Sequence, residues 1–367
     1  MVTCEPPYAP LTARTQPTTT TDLDVAPDVR DYLVVDEFLR SLIGSRALKT
    51  ALELGVIDTL EQGPADLAGL ATSIRSDTAG IRLLIDLLAA EGVVEESTGT
   101  VRLTPRFAGA LQYRELLERK LDFVGLVLLD FVDRFNALIV DPARFMREAQ
   151  LFRLFDYRRA SDMSAENYAW TKVWMRLTTA LTRHEAEACL RYHDFSRYRS
   201  MLDIGGNSGE FALRACKAHP QLRASIMDLP VVCEFGQDHV LAEPERERIS
   251  FIAGSALEKQ LPSGCDLITF KSMLHDWPDA EARRFIDRAA EALEPGGTLL
   301  IFERGPLDLR AGPLPLSALP MLMFARSFRS PGLYESALTA RAFTDIEIRE
   351  VPLDTPFFIV TANKPGA

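Results

Sequence analysis

A seven-residue turn, Asp203-Ile204-Gly205-Gly206-Asn207-Ser208-Gly209, constrains this chain more than any other feature. It closes an apolar strand at 201–204 and opens an amphipathic helix, Glu210-Phe211-Ala212-Leu213-Arg214-Ala215. A strand that runs through glycines directly into a helix is the joint of a βα unit. Residues without bulk let a ligand approach the backbone there, and the exposed N–H groups of the helix start bind electronegative ligand atoms.

From Tyr198 onward the hydrophobic period alternates between strand and helix. Strands are expected at 201–204, 224–227, 250–252, 266–270, 298–302, 345–349 and 357–361, with helical segments between the first five. That alternation predicts an open, mostly parallel sheet. The last two strands are joined only by residues 350–356, too short a link for a helical crossover, so that pair is expected to be antiparallel.

Ligands of such sheets bind outside the carboxyl ends of the strands, where strand order reverses. Gly205, Gly206 and Gly209 occupy that place after the first strand. Asp228 ends the second, 25 residues beyond Asp203 (228 − 203), a spacing that suits an acid accepting hydrogen bonds from ribose hydroxyls. A nicotinamide fingerprint would read GxGxxG. Here two glycines are adjacent and a carboxylate stands just before them, an arrangement that repels a pyrophosphate but suits a ligand bearing an ammonium group. An NAD-dependent oxidoreductase is therefore the more remote alternative.

A second segment, Leu274-His275-Asp276-Trp277-Pro278-Asp279, places a histidine where another strand of the same sheet ends. An imidazole near pKa 6.5 accepts a proton readily at neutral pH, and a phenol near 10 needs one removed. A nucleotide-like ligand at the first segment and a proton acceptor at the second imply group transfer. Asp276, beside Trp277-Pro278, is expected to cap the helix that begins near Pro278. His184, His193, His219 and His239 read as surface or capping residues.

Ahead of the sheet, Tyr32, Leu33, Phe38, Leu39, Leu42, Leu48, Leu52 and Leu54 have helical spacing, in a pattern that ends at Gly55. A helix starting at Asp66, a second helix at 81–91 with Asp77 as N-cap, and a hairpin at 92–105 make a winged helix. Residues 66–105 hold three basic side chains (Arg75, Arg82, Arg102) against six acidic ones. A helix entering the major groove brings positive charge, so this winged helix reads as structural or dimerising. A long helical stretch follows from about Leu116 to Arg191. It carries Phe123, Phe131, Phe135, Phe145, Phe152, Phe155, Tyr157, Trp170, Trp174 and Met175, mostly core and subunit interface with a few lining an aromatic pocket.

The net charge of −11 argues against a nucleic-acid partner. No apolar run reaches the roughly 20 residues that span a bilayer. Residues 1–21, rich in Thr and Pro, lack an apolar signal core and read as a disordered lead-in. Cys4, Cys189, Cys216, Cys233 and Cys265 show neither a CxxC pair nor a Cys/His ligand spacing. Neither a disulfide framework nor a metal site is expected, and the cytoplasm is the default location.

On these motifs the chain resembles the class I S-adenosylmethionine-dependent methyltransferases of the plant and bacterial small-molecule O-methyltransferase type. Residues 203–209 match the family's D-x-G-G-G-x-G turn except for Asn207 at the third glycine. Asp228-Leu229-Pro230 resembles its D-L-P element, and 270–279 its lysine-to-HDWPD segment. Residues 293–303 resemble its L-x-P-G-G-x-L-L-I-x-E strand. The likeness spans about residues 30 to 362. Three departures stand out. The family's G-D-x-F element reads Gly254-Ser255-Ala256-Leu257, without the acid. The second Glu of its E-R-T element is replaced near Phe328-Arg329-Ser330. Its A-G-F reads Arg341-Ala342-Phe343.

The resemblance implies a C-terminal Rossmann-like domain with a mostly parallel seven-stranded sheet, preceded by an all-helical, winged-helix dimerisation domain. The implied division is a lead-in at 1–27, a dimerisation domain at 28–115, helices lining the substrate pocket at 116–191 and a catalytic domain at 192–367. S-adenosylmethionine would be held by Asp203, Gly205, Gly206, Asp228, Ser255, Ala256 and Lys271. His275 would be the general base, oriented by Glu303. A homodimer acting on a small aromatic, phenolic acceptor of secondary metabolism follows, with O-methylation expected. Aromatic C-methylation and a non-methylating hydroxylase or decarboxylase are the alternatives on the same fold. A cofactor-sensing winged-helix regulator is a further one.

Overall fold

The computed structural model describes residues 28–150, 152, 160–310, 312 and 314–366. The expected lead-in, Cys4, Phe155 and Tyr157 lie outside the described residues. The described residues begin with a 3-10 turn, Asp31–Phe38, rather than an α-helix, and α-helices follow at Leu42–Glu53 and Val56–Gln62. Gly55 separates the two with φ of 76°, so the pattern that stops there resumes in a new direction. Short polar side chains start these helices. Ser41 accepts from the Gly44 N–H (3.1 Å), Asp66 from Gly69 (2.6 Å) and Asp77 from Gly80 (2.6 Å). Each such cap stabilises its helix by about 1 kcal/mol.

Helices Leu67–Ser73 and Thr78–Ala90 and the strands β2 (Val94–Ser97) and β3 (Thr100–Leu103) form the winged helix, with β1 (Ala65–Asp66) pairing on β3. Thr98 and Gly99, both at positive φ, make the tight turn whose twist matches the paired strands. Leu48, Ile57, Leu70, Ile85, Leu88 and Val101 are fully or almost fully buried in its core. The stretch 116–191 is not one helix. Arg114–Val140, Pro142–Glu148 and Ala165–Tyr192 are separate, the second started by Pro142 with Asp141 accepting from the Arg144 N–H (3.0 Å).

All seven expected strands are present. They are β4 (Ser200–Ile204), β5 (Arg223–Asp228), β6 (Ile249–Ala253), β7 (Cys265–Lys271), β8 (Leu293–Arg304), β9 (Thr344–Pro352) and β10 (Pro356–Asn363). Their order is β6-β5-β4-β7-β8-β10-β9. The first five are parallel, and β10 pairs antiparallel with both β8 and β9. One expectation fails: between β6 and β7 there is no helix, only turns. That connection, residues 254–264, runs from the sheet edge to the centre beside β4.

Chain order reverses between β4 and β7, so the crevice of the sheet opens at the carboxyl ends of those strands. Ile204, Asp228, Lys271 and Glu303 all arrive at that edge. No helix among the described residues is long and apolar enough to cross a membrane. Cys189, Cys216, Cys233 and Cys265 are buried free thiols.

Candidate active site

The glycine turn after β4 is shaped by what packs against it. Gly205 has φ of 69°, and Gly206 lies so close to its neighbours that an added Cβ would sit 2.5 Å from Asp203 Oδ2 and 2.8 Å from Ile226 Cγ2. Asn207, where the family glycine is missing, keeps the left-handed backbone (φ 56°). Asparagine adopts it more readily than other side chains do because its amide bonds locally. Here Asn207 Oδ1 accepts from the Ser208 N–H (2.8 Å) and from Thr178 Oγ1 (3.3 Å).

Asp203 is fully buried at the base of this turn. Its Oδ1 accepts from Thr269 Oγ1 (2.6 Å), while Oδ2 has no partner within the protein. Burial pushes its carboxyl up to about 7, with the Thr269 hydrogen bond and the Lys271 charge opposing. An unpartnered, desolvated carboxylate oxygen in a cavity wall calls for a hydrogen-bond donor or a cation. Asp228 at the end of β5 accepts from the Asn207 N–H (2.8 Å) and the Leu229 N–H (2.7 Å), and burial pushes it up to about 6. Beyond it, Ser255 Oγ accepts from the Leu257 N–H (3.3 Å) beside Ala256. Lys259 folds over Gly254 and donates to the Ala253 carbonyl. Sequence reasoning passed over both Lys259 and Ser272, whose buried hydroxyl also lacks a partner.

His275 lies in a 3-10 turn, Leu274–Asp276, that follows β7, and it is 8% exposed. Its Nδ1 is 2.6 Å from Glu303 Oε1, and its backbone N–H donates to Glu303 Oε2 (3.3 Å). With Nδ1 as the donor, Nε2 is the ring's acceptor. Burial alone would lower the pKa of His275. The Glu303 and Asp276 carboxylates and the Glu303 hydrogen bond outweigh it, so the imidazole stands above its ordinary value. Glu303 is held below the usual carboxylate range against its own burial by the same pairing.

Asp276 does not cap the following helix, whose N-cap is Pro278; its Oδ1 lies 3.4 Å from His275 Nε2. No second glutamate approaches the ring from the 328–330 segment. Phe328 and Phe324 meet it edge-on, with centroids 5.2 and 6.0 Å away. Arg329 instead ties down the histidine loop, donating to the carbonyls of Leu274 (2.9 Å) and Trp277 and to Asp279 Oδ1 (2.6 Å). At the third departure, Ala342 keeps φ of 59° where the family has glycine.

These groups line one cavity of about 560 Å³, within the range of a small-molecule site. All nine expected site residues except Glu303 are in its wall, and Glu303 stands behind His275. Lys271 is in that wall, but its ammonium is engaged with Thr182 Oγ1 (2.9 Å) and the buried Glu185. Glu185 also receives Arg304, which donates to Asp354 Oδ1 (3.2 Å) and Thr355 Oγ1 (2.7 Å). Nothing in the helical pattern distinguishes Glu185 from a solvated acid. Of the helical aromatics, Phe123 and Trp174 reach the cavity, whereas Phe135 and Trp170 are exposed. Among the described residues no His, Cys, Asp and Glu side chains form a group able to hold a metal ion.

The other histidines have packing roles. His184 stacks on Tyr32 (4.8 Å), His193 and His219 stand at helix ends, and His239 Nε2 lies 2.6 Å from Glu210 Oε2.

Residues 144–329 match the family profile described as the O-methyltransferase domain, and residues 37–108 match its dimerisation domain. The chain is 27% identical over 308 residues to a 3-hydroxy-5-methyl-1-naphthoate 3-O-methyltransferase from Streptomyces sahachiroi, covering 82% of this chain and 84% of that one. It is 26% identical to the acetylserotonin O-methyltransferase of Homo sapiens, over 87% and 94% of the two chains. Among solved structures, the mitomycin 7-O-methyltransferase MmcR superposes with a TM-score of 0.66 at 21% identity, over 87% and 94% of the two chains, and so shares its fold.

Proposed function

From the premise that this chain belongs to the O-methyltransferase family and is an S-adenosylmethionine-dependent methyltransferase, we propose that it methylates the hydroxyl of a small aromatic acceptor with His275 as general base. The observation that carries the proposal is the buried His275–Glu303 pair, which presents Nε2 to a cavity walled by Phe324 and Phe328 and continuous with the glycine turn. Two relatives whose names specify aromatic hydroxyl acceptors, the naphthoate and acetylserotonin enzymes, support the acceptor class.

Bound S-adenosylmethionine supplies an activated methyl group. Asp203, with its unpartnered oxygen, suits the cofactor's ammonium. Asp228 keeps acceptor capacity for ribose hydroxyls, and Gly205 and Gly206 leave the backbone open. Ser255 and Ala256 lie at the far end, where the nucleobase is assigned. Lys271, committed to Glu185 and Thr182, contributes its charge to the wall between cofactor and acceptor.

On the acceptor side, Glu303 fixes the tautomer that leaves Nε2 free to take the hydroxyl proton, and it stabilises the imidazolium that results. Asp276 adds negative charge on the other side of the ring. Phe324 and Phe328 would hold the acceptor ring beside His275, the alignment on which an in-line transfer depends.

The dimerisation domain supports a homodimer. A nucleic-acid role is disfavoured, because Arg82 and Arg102 of the winged helix are engaged with Glu96 and Glu95. Free buried thiols are compatible with the cytoplasm.

The test is incubation with isotopically labelled cofactor and a panel of phenols, with the label located by mass spectrometry. Label on a phenolic oxygen is the expected result. Label on ring carbon, or an unlabelled product, overturns the proposal.

A further inference from the structure

A second cavity, of about 160 Å³, adjoins the first; Phe123, Leu177, Leu181 and Met321 face both. Its far wall is made of charge. Asp36, Lys120 and Asp354 come from three distant parts of the chain and meet there, next to the hydroxyl-bearing Ser317 and Thr355. Lys120 is 6% exposed. Ionised groups are costly to desolvate, and a polar cavity beside them is stable when something polar fills it.

The cationic donors of this wall are spent within it. Lys120 Nζ donates to Asp36 Oδ1 (2.8 Å) and Oδ2 (2.7 Å), and its remaining direction faces Asp354 Oδ2 at 3.5 Å. The Arg304 guanidinium is turned to Asp354 Oδ1, Thr355 and Glu185. The acceptors are not spent: a carboxylate has about four lone-pair sites, and Asp354 Oδ2 is met only by the long Lys120 contact. Two carboxylates and one ammonium face the cavity, and the Arg304 guanidinium on the other side of Asp354 balances the second carboxylate, so what the wall leaves open is acceptor capacity. Burial pushes Asp36 up, and the neighbouring Asp354 adds to that, while Lys120 opposes it.

We infer that this second cavity is a subsite for a basic, hydrogen-bond-donating arm of the acceptor, so that the substrate is an aromatic hydroxyl compound carrying an amine. An anionic arm would meet two carboxylates and no free cation. A purely apolar arm would cover desolvated charge without pairing it. An amine donates to the unspent lone pairs of Asp36 and Asp354. The inference rests on the phenol O-methylation reading for the position of the ring, and on the cavity wall for the arm.

Binding calorimetry on the full-length protein saturated with S-adenosylhomocysteine tests it. The probes are phenols bearing aminoalkyl, alkyl or carboxyalkyl arms of graded length. The best aminoalkyl phenol should bind about tenfold or more tighter than its alkyl counterpart, as expected of a charge-assisted hydrogen bond, and the carboxyalkyl phenol more weakly still. Asp36→Asn should remove most of the gain. Ala318→Phe, which fills the cavity from its lining, should remove it as well and serves if the first variant melts early. Alkyl or carboxyalkyl arms binding as tightly as the amine, or a gain that survives both substitutions, would overturn the subsite.

Methyl transfer to arm-less phenols reads the parent proposal separately. Turnover without arm preference defeats only the subsite, whereas absent phenol turnover with an intact amine preference defeats only the phenol reading.

Discussion

The two ends of the main cavity are built differently. The end proposed for the cofactor is made of backbone and strand-terminal residues within a short span: Asp203, Gly205 and Gly206 in one turn, and Asp228 at the next strand end. The end proposed for the acceptor is made of side chains from helices and loops far apart in sequence, among them Phe123, Trp174, Glu185, Arg304 and Phe324. A site formed by backbone demands particular residues at fixed spacing. A site formed by converging side chains demands only that suitable groups arrive.

The largest expected effect lies on the acceptor side. His275→Ala should lower turnover by roughly 10²–10⁴-fold, the worth of a positioned base, with the dissociation constant for S-adenosylmethionine little changed. Steady-state rates and calorimetry together check it. More than about a tenth of the wild-type rate remaining would mean that the ring only shapes the pocket.

The mirror-image substitution is Gly206→Ala. Its new Cβ would fall 2.5 Å from Asp203 Oδ2 and 2.8 Å from Ile226, so the turn must shift. Cofactor affinity should drop about tenfold or more, a cost of about 1.4 kcal/mol, while phenol binding measured without cofactor is preserved. If both affinities fell together, the two ends would not be separable.

Glu303→Gln sharpens the acceptor side through pH. On the proposed mechanism neutral imidazole is the base, so activity should fall as pH drops through the pKa of His275. The carboxylates hold that pKa above the ordinary value of about 6.5, which puts the acidic limb of kcat/KM above 6.5 in the wild type. In the variant, burial prevails and the limb should move to lower pH. The maximal rate should fall by about tenfold, the equivalent of about one pKa unit of base strength. An unmoved limb would assign the titration to another group.

The smallest effect concerns Asn207. Asn207→Gly should leave thermal stability nearly unchanged, because glycine accepts the positive φ freely. Asn207→Ala should cost about 1–2 kcal/mol, read as a lower Tm. Equal stability of the two variants would show that the turn relaxes.

Of the fold, the seven strands, the antiparallel final pair, the winged helix and the Asp77 cap were legible because each rests on a local rule: period, link length, or a short polar side chain before a helix. The helix boundaries within the helical stretch 116–191 and the absence of a helix between β6 and β7 were not. Apolar spacing persists across the break at Asp141-Pro142, and strand and helix alternation gives no sign that the 254–264 link passes in turns alone. Asp276 read locally as a cap, but it faces His275 Nε2 because the chain turns into a 3-10 segment first.

The sequence by itself determined where a ligand can approach the backbone and which acids and histidine stand at strand ends, because strand period and glycine placement act over a few residues. Only the tertiary structure decided that Arg329 clamps the histidine loop in place of a second glutamate, and that Glu185 joins Lys271 to Arg304. It alone brought Asp36, Lys120 and Asp354 around a second cavity. Those pairings link positions up to 234 residues apart, as Lys120 and Asp354 are. What places such charges together is the burial of the apolar faces that carry them, and no local pattern encodes which faces meet.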